Sequence, residues 1–247
     1  MTAHIRVRDV TLTVPLLLQR ERSAKTMLGG LFTAATSAPV RTFRTILEGV
    51  TFEAQEGDRV ALIGRNGAGK STLLSVLTGI YIPTSGVVDV KGSRQALLNI
   101  SLGFNKAATV RENIFLRGTA MGLSSRQIRT MVDSILEFSE LADVAQHELH
   151  TLSSGQKMRL GFAISTSVDQ DIILLDEWLG AGDSKFRERA RTRMNDRVRG
   201  SKIVILASHD NELLKNVCNK GLLLHHGKPL YYGPINSALD RYRKQVA

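Results

Sequence analysis

Nine consecutive residues restrict this chain more than any other stretch: Gly64-Arg65-Asn66-Gly67-Ala68-Gly69-Lys70-Ser71-Thr72. They follow the apolar run Arg59-Val60-Ala61-Leu62-Ile63 and precede Leu73-Leu74-Ser75-Val76-Leu77. A strand-length apolar run, a glycine-rich turn and a helix-forming stretch are the setting in which G-x-x-x-x-G-K-[ST] cradles a phosphate. The glycines let consecutive backbone N–H groups turn onto a polyphosphate, at the positive end of a helix beginning near Gly69. Lys70 is then placed to reach the β- and γ-phosphates and Ser71 to hold Mg²⁺. The alternative, a strand-to-helix turn with no ligand, has to produce every fixed position and both flanks by chance. The expectation is that the chain binds a nucleoside triphosphate.

A length of 247 residues suffices for one large α/β domain or two small ones. The single cysteine, Cys218, rules out an internal disulfide and fits a reducing compartment. The start, Met1-Thr2-Ala3-His4-Ile5-Arg6-Val7-Arg8, lacks the apolar core of a signal peptide. No run approaches the roughly 20 apolar residues of a membrane-spanning helix; the longest uncharged stretch, Met27 to Val40, is too short and too rich in Gly, Ser, Thr and Ala. The net charge of +10 predicts attraction to something anionic, whether nucleic acid, acidic lipid or an acidic partner. An aromatic content of 5% gives base stacking on nucleic acid little support.

Residues 4–14 read as a strand. Residues 15–45 break the pattern and carry Arg20, Arg22, Lys25, Arg41 and Arg44; an amphipathic helix against a membrane or partner and an irregular surface insertion are both open. Val50, Phe52 and Ala54 alternate in a second strand, turned at Glu56-Gly57-Asp58 into the strand before the glycine loop. Pro83-Thr84-Ser85-Gly86 makes another turn, before a short strand at Val87–Val90. Ser124 and Gln127 form a capping-box pair, and Ile128, Met131, Val132, Ile135 and Leu136 share one helix face. A helix from Ser153 or Ser154 through Ala163 precedes a buried-type strand at Ile172–Leu175. An arginine-rich helix at 184–199, a second buried strand at Ile203–Leu206 and a short helix at 236–245 complete the order. Strands alternating with helices imply a parallel sheet wrapped by helices, joined here to antiparallel hairpins. We expect one composite domain over 1–247, with a helical subdomain at about 98–165.

Asp176 and Glu177 follow the apolar strand Ile172–Leu175 directly. At the end of a buried strand, Asp176 is placed to meet Mg²⁺ through water, and Glu177 to polarise an attacking water as general base. A solvated turn is the alternative when such a pair stands alone; the upstream glycine loop argues against it. Upstream, Leu152-Ser153-Ser154-Gly155-Gln156 opens another helix, a second potential anion site that a simple N-cap explains equally well in isolation.

Those five residues resemble the LSGGQ signature of ATP-binding cassette (ABC) ATPases, some twenty residues before the carboxylate pair, where that family places it. Gly180-Ala181-Gly182-Asp183 is similar to the family's D-loop, and His209, in Ala207-Ser208-His209-Asp210, to its switch histidine. The resemblance implies a P-loop NTPase of ABC type: a mixed α/β sheet core, an antiparallel β subdomain and an inserted helical subdomain. It implies ATP and Mg²⁺ as cofactors and a homodimer sandwiching two ATP molecules. Ser153, Ser154, Gly155, Gln156 and Asp183 of one copy would then face the phosphates held by Gly64, Asn66, Gly67, Ala68, Gly69, Lys70, Ser71 and Thr72 of the other. Glu177, His209 and Lys70 take the catalytic roles, Ser71 and Asp176 the metal, and Phe43 the adenine, with an ordinary core role for Phe43 as its alternative. Three positions depart from the family: Ser154 replaces a glycine, no glutamine stands shortly before Thr109-Val110-Arg111-Glu112-Asn113, where Asn99 is the nearest polar candidate, and Trp178 replaces a proline.

Within that family the chain resembles the ATPase subunits of bacterial polysaccharide exporters. It shares their basic insertion after the first strand, Gly103-Phe104 before the Thr-x-Arg-Glu-Asn sequence, the Ser-Ser-Gly signature, Trp178, and a terminal helix with Tyr242-Arg243. The resemblance implies a peripheral subunit at the cytoplasmic face of the bacterial inner membrane. Its partner would be two copies of an integral-membrane permease that carries a lipid-linked glycan of O-antigen, capsule or teichoic-acid type. No separate carbohydrate-binding domain and no nucleic-acid partner are expected. An ATPase of another ABC transporter class, or a soluble cassette acting on nucleic acid or ribosomes, are the alternatives.

Overall fold

Strand residues in this chain come in two patterns, and each builds its own sheet. In the computed structural model, which describes residues 2–17, 41–97, 103–177 and 184–245, β1 (His4–Leu17), β2 (Arg41–Gln55) and β4 (Ser85–Lys91) form an antiparallel sheet in the order β2-β1-β4. Val50, Phe52 and Ala54 of β2 are buried while Thr51, Glu53 and Gln55 are exposed, as expected of a sheet with one face on the core and one in water.

Among the described residues the second sheet has six strands in the order β5-β6-β7-β3-β8-β9: β3 (Arg59–Ile63), β5 (Arg94–Leu97), β6 (Ile172–Asp176), β7 (Ile203–Ala207), β8 (Lys220–His225) and β9 (Lys228–Pro234). All neighbours pair in parallel except β8 and β9. Its inner strands are apolar on both faces because both faces are covered. Val60, Leu62, Leu174, Ile205 and Leu222 share a buried cluster with the antiparallel sheet and α1 (Lys70–Thr78). The alternate residues Ala61, Ile63, Leu175, Leu206 and Leu223 face the other way.

Between β5 and β6 the described residues are mostly helical. α2 (Val110–Ala120), α3 (Ser125–Ser139) and α4 (Ser154–Ser165), with short 3₁₀ turns at Ala142–Val144 and Leu149–Thr151, bury a third cluster that includes Val110, Ile114, Ile128, Ile135, Leu149 and Leu160. Reciprocal capping boxes start all three helices: Thr109 with Glu112, Ser124 with Gln127, and Ser153 with Gln156. The remaining helices, α5 (Ser184–Gly200), α6 (Asn211–Val217) and α7 (Ile235–Gln245), contribute Phe186, Leu214 and Leu239 to the second cluster. The fold is a mixed-sheet α/β core with an antiparallel sheet and helices, as the resemblance implied. Among the described residues no helix is long and apolar enough to cross a membrane.

Two expectations change. The break placed at residue 15 is not one, because β1 and β2 continue as a ladder that pairs Pro15 with Phe43 and Leu17 with Arg41. Beyond Thr11 β1 has lost β4 as a neighbour, so Pro15 needs no donor on that side. The β2 residues there, Thr42 to Thr45, are exposed, so no apolar alternation marks the strand. The strands β5, β8 and β9 and the helices α2 and α6 come in addition to the elements the sequence pattern predicts. Helix α2 hides its buried stripe behind a polar residue: Val110, Asn113, Ile114 and Gly118 are buried together. Asn113 is fully buried because its Nδ2 donates to the carbonyls of Asn105, Ala108 and Thr109 while its Oδ1 accepts from Asn105 N–H. Arg20, Arg22, Lys25, Asn99, Trp178 and the Gly180–Asp183 stretch lie outside the described residues.

Candidate functional site

Strand β3 sits inside the sheet and delivers Gly64 at its carboxyl end, where a parallel sheet places its ligands. The loop that follows is braced from two sides. Gly64 has φ 154°, and a Cβ there would overlap the Leu224 carbonyl oxygen of β8. Gly227, at the β8–β9 turn with φ 81°, leaves no room for a Cβ beside the Ile46 carbonyl of β2. Its N–H donates to Ala68 O at 3.1 Å, and its own carbonyl accepts from Glu48 N–H at 2.9 Å. A hairpin and the middle of β2 therefore hold the loop in shape, which the local sequence did not announce. The two apolar runs on either side of His225-His226-Gly227 were the available signal.

The loop ends at Gly69, and α1 begins at Lys70 with its first N–H groups free of side-chain caps. Uncapped donors at a helix start suit an anion. Lys70 is 8% exposed. Its Nζ donates to the carbonyls of Gly64 (2.6 Å) and Arg65 (3.1 Å), and burial lowers its pKa while Asp176 and Glu177 oppose that fall. These carbonyls are weak substitutes for phosphate oxygens, to which an ammonium binds by a charge-assisted bond.

A cavity of about 510 Å³ opens over this loop. Asn66, Gly67, Ala68, Gly69, Lys70, Ser71 and Thr72 line it on one side, Asp176, Glu177, Ala207, Ser208 and His209 on another, and Arg44 and Ile46 on a third. Asp176 ends β6 in register with Ala207 of β7. Glu177 N–H donates to Ala207 O at 2.9 Å, and Glu177 takes φ 65°, a left-handed conformation that costs an L-residue roughly 1–2 kcal/mol. That turn puts Glu177 Oε1 3.7 Å from His209 Nε2. Both groups are exposed, so the pair contributes little stability and its interest is positional. The Ser71 hydroxyl and the Asp176 carboxylate, both on the cavity wall, are oxygen donors of the kind Mg²⁺ prefers.

Gly64 is not in this wall, its carbonyl lying behind it under Lys70, and two further groups of expected residues are not in it either. Phe43 is 66% exposed on β2; its neighbour Arg44 lines the cavity instead, because successive strand residues point to opposite faces. The helix tip Ser153, Ser154, Gly155 and Gln156 is also absent from the wall. Ser153 Oγ accepts from Gln156 N–H and Gln156 Oε1 from Ser153 N–H, while Ser153 and Ser154 are exposed. Among the described residues, apart from its chain neighbours and its own helix backbone, the one atom within 4 Å of a Cβ added at Gly155 is Ser153 Oγ at 3.9 Å. Asp183 lies outside the described residues.

The family pattern described as ABC transporter matches residues 47–180. This chain belongs to the ABC transporter family. Among curated ABC relatives it is 39% identical over 196 residues to the teichoic acids export ATP-binding protein TagH of Bacillus anthracis, covering 79% of this chain and 36% of TagH. It is 36% identical over 203 residues to the O-antigen export system ATP-binding protein RfbB of Myxococcus xanthus, covering 82% and 46%. With the O-antigen export system ATP-binding protein RfbE of Yersinia enterocolitica the identity is 37% over 225 residues, covering 89% and 93%. The chain thus spans a third to a half of the first two relatives and nearly all of the third. Among solved structures, the ATP-binding subunit of an ABC transporter superposes with a TM-score of 0.70 at 20% identity, covering 98% of this chain and 95% of that one. An inward-facing transporter of metal-chelate type gives 0.63 at 22% identity, covering 95% and 84%.

Proposed function

We propose that this chain hydrolyses ATP to drive export of a lipid-linked polysaccharide, of O-antigen, capsule or teichoic-acid type, through a separate integral-membrane permease. The observation that carries the ATPase reading is the convergence of Lys70, Ser71, Asp176, Glu177 and His209 on one cavity. The polysaccharide part is supported by the names of relatives with 36–39% identity. In this reading ATP lies with its phosphates along the loop from Gly64 to Thr72, Lys70 exchanges the carbonyls of Gly64 and Arg65 for β- and γ-oxygens, and Ser71 and Asp176 hold Mg²⁺. Glu177 accepts a proton from a water whose oxygen attacks the γ-phosphorus, and the bond to the bridging oxygen breaks, releasing ADP. His209, beside Glu177, faces the same phosphate.

One copy supplies a single donor set to the triphosphate. The Ser153–Gln156 tip, exposed at Ser153 and Ser154 and uncrowded at Gly155 among the described residues, suits the phosphates of a second copy, so that ATP joins two chains. Residues 1–247 act as one cassette, with the helical part between β5 and β6 as its inserted subdomain. The cassette works at the cytoplasmic face of the inner membrane, bound to two permease copies and contacting no nucleic acid. Glu177→Gln should lower ATP turnover by at least about a hundredfold, the scale of a general base, and leave an ATP-bound dimer detectable by light scattering. Turnover at the wild-type rate would remove Glu177 from that role. Purification with the permease encoded beside it, followed by assay of ATP turnover with candidate lipid-linked glycans, tests the substrate; no stimulation by any of them would reject it.

A further inference from the structure

The cavity draws its walls from opposite sides of β3. In the order β5-β6-β7-β3-β8-β9, Asp176, Glu177 and His209 come from the β6–β7 side. Arg44 and Ile46 come from β2, whose Ile46 carbonyl packs on Gly227 of the β8–β9 turn, across β3 from the carboxylates. If the γ-phosphate lies at the carboxylates, the base lies toward Arg44 and Ile46. Among the described residues no Phe, Tyr or Trp lines the cavity, and its one aromatic ring, that of His209, stands on the carboxylate side. The Arg44 side chain makes no hydrogen bond or ion pair among them either, whereas Arg6, Arg159, Arg189 and Arg197 are each paired with an acid. Ile46 beside it is half-buried and apolar.

A guanidinium is planar, weakly hydrated and stacks on π-faces, which an ammonium cannot do. We propose that Arg44 is the base platform of the nucleotide site: its guanidinium plane lies against the purine, with Ile46 against the same ring. This rests on the nucleotide reading above and assigns to Arg44 the role expected of Phe43. The phosphates are held by the glycine loop and Lys70, so the contribution of Arg44 belongs to the base and not to the triphosphate.

The test is calorimetric titration of the full chain with MgATP and, separately, with magnesium tripolyphosphate, which has the phosphates without the base. Arg44→Ala should weaken MgATP binding about tenfold, the size of one stacked base, and leave tripolyphosphate binding unchanged, which also reports an intact loop. Arg44→Lys, which keeps the charge and loses the plane, should behave like Arg44→Ala; Arg44→Trp, which keeps a plane and loses the charge, should restore MgATP affinity. The proposal is overturned if Arg44→Lys binds MgATP as tightly as wild type, if Arg44→Ala weakens both ligands equally, or if Phe43→Ala weakens MgATP binding and Arg44→Ala does not. A wild-type chain that binds neither ligand overturns the nucleotide reading itself, a failure distinct from these.

Discussion

Glu177 and Gly227 hold the same left-handed backbone for opposite reasons. Glu177 adopts φ 65° against its own sterics, and the turn it makes brings its carboxylate toward His209 after the last pairing position of β6. Strain of that sort is found where geometry matters more than stability. Gly227 adopts φ 81° without cost, and what it provides is closeness, since only a residue lacking Cβ lets β2 approach the turn that braces the loop. Gly227→Ala should therefore cost more than the roughly 1–2 kcal/mol of left-handed strain, because Ile46 or the loop must also move. Gly122→Ala, at φ 82° with no other described residue within 4 Å of the added Cβ beyond its chain neighbours, isolates the strain alone. We expect Gly122→Ala to lower Tm by about 2–8 °C with no change in MgATP affinity, and Gly227→Ala to lower Tm further and weaken MgATP binding. Equal effects of the two would show that the hairpin does not shape the loop.

At the scale of elements, the helix starts carry a comparison the chain makes with itself. Ser124 and Ser153 are N-caps of the same design, each accepting from the N–H three residues on and each answered by a glutamine. Replacing either with alanine should cost about 1 kcal/mol of stability, read as similar shifts in denaturant midpoint. Only Ser153→Ala should also lower ATP turnover, because its hydroxyl stands at the tip proposed to meet a second copy's phosphates. If the two variants lose turnover in step with stability, Ser153 is a cap and nothing more. The elements also explain where the sequence could be read. Helix α3 shows its apolar face because Ile128, Val132, Ile135 and Leu136 are buried and their neighbours are not. Helix α2 buries Asn113 in its stripe, and a periodicity count discards it. Thr42 to Thr45 of β2 are all exposed, so nothing in that part of its sequence needed to alternate.

Across the whole molecule, the two sheets are joined below the site by a polar cluster. Asp171, before β6, accepts from Ser93 N–H at 3.0 Å and pairs with Lys202 at 3.1 Å, while Lys202 also reaches Glu56, which accepts from Ala3 N–H at 2.7 Å. The Ser93 N–H first and then Lys202 hold the Asp171 carboxyl below its ordinary 3.8, and the Ala3 N–H first holds Glu56 below its ordinary 4.5. A carboxylate whose pKa falls on folding stabilises the native state above its ordinary value and loses that effect as pH drops through its folded value. Asp171→Ala should therefore melt below wild type at pH 7, with the gap narrowing as pH falls below 3.8; a gap independent of pH would mean that Asp171 acts by packing alone. The glycine loop, the carboxylate pair after Ile172–Leu175 and the histidine after Ile203–Leu206 were determined by sequence alone, because a strand end or helix start is set by neighbouring residues and local propensity. Only the tertiary structure decided that Arg44 and not Phe43 enters the cavity, that Gly227 braces the loop, and that the Ser153–Gln156 tip stands outside the cavity wall. Those outcomes depend on which distant segments pack together, and packing between segments far apart in the chain leaves no periodic trace in either of them.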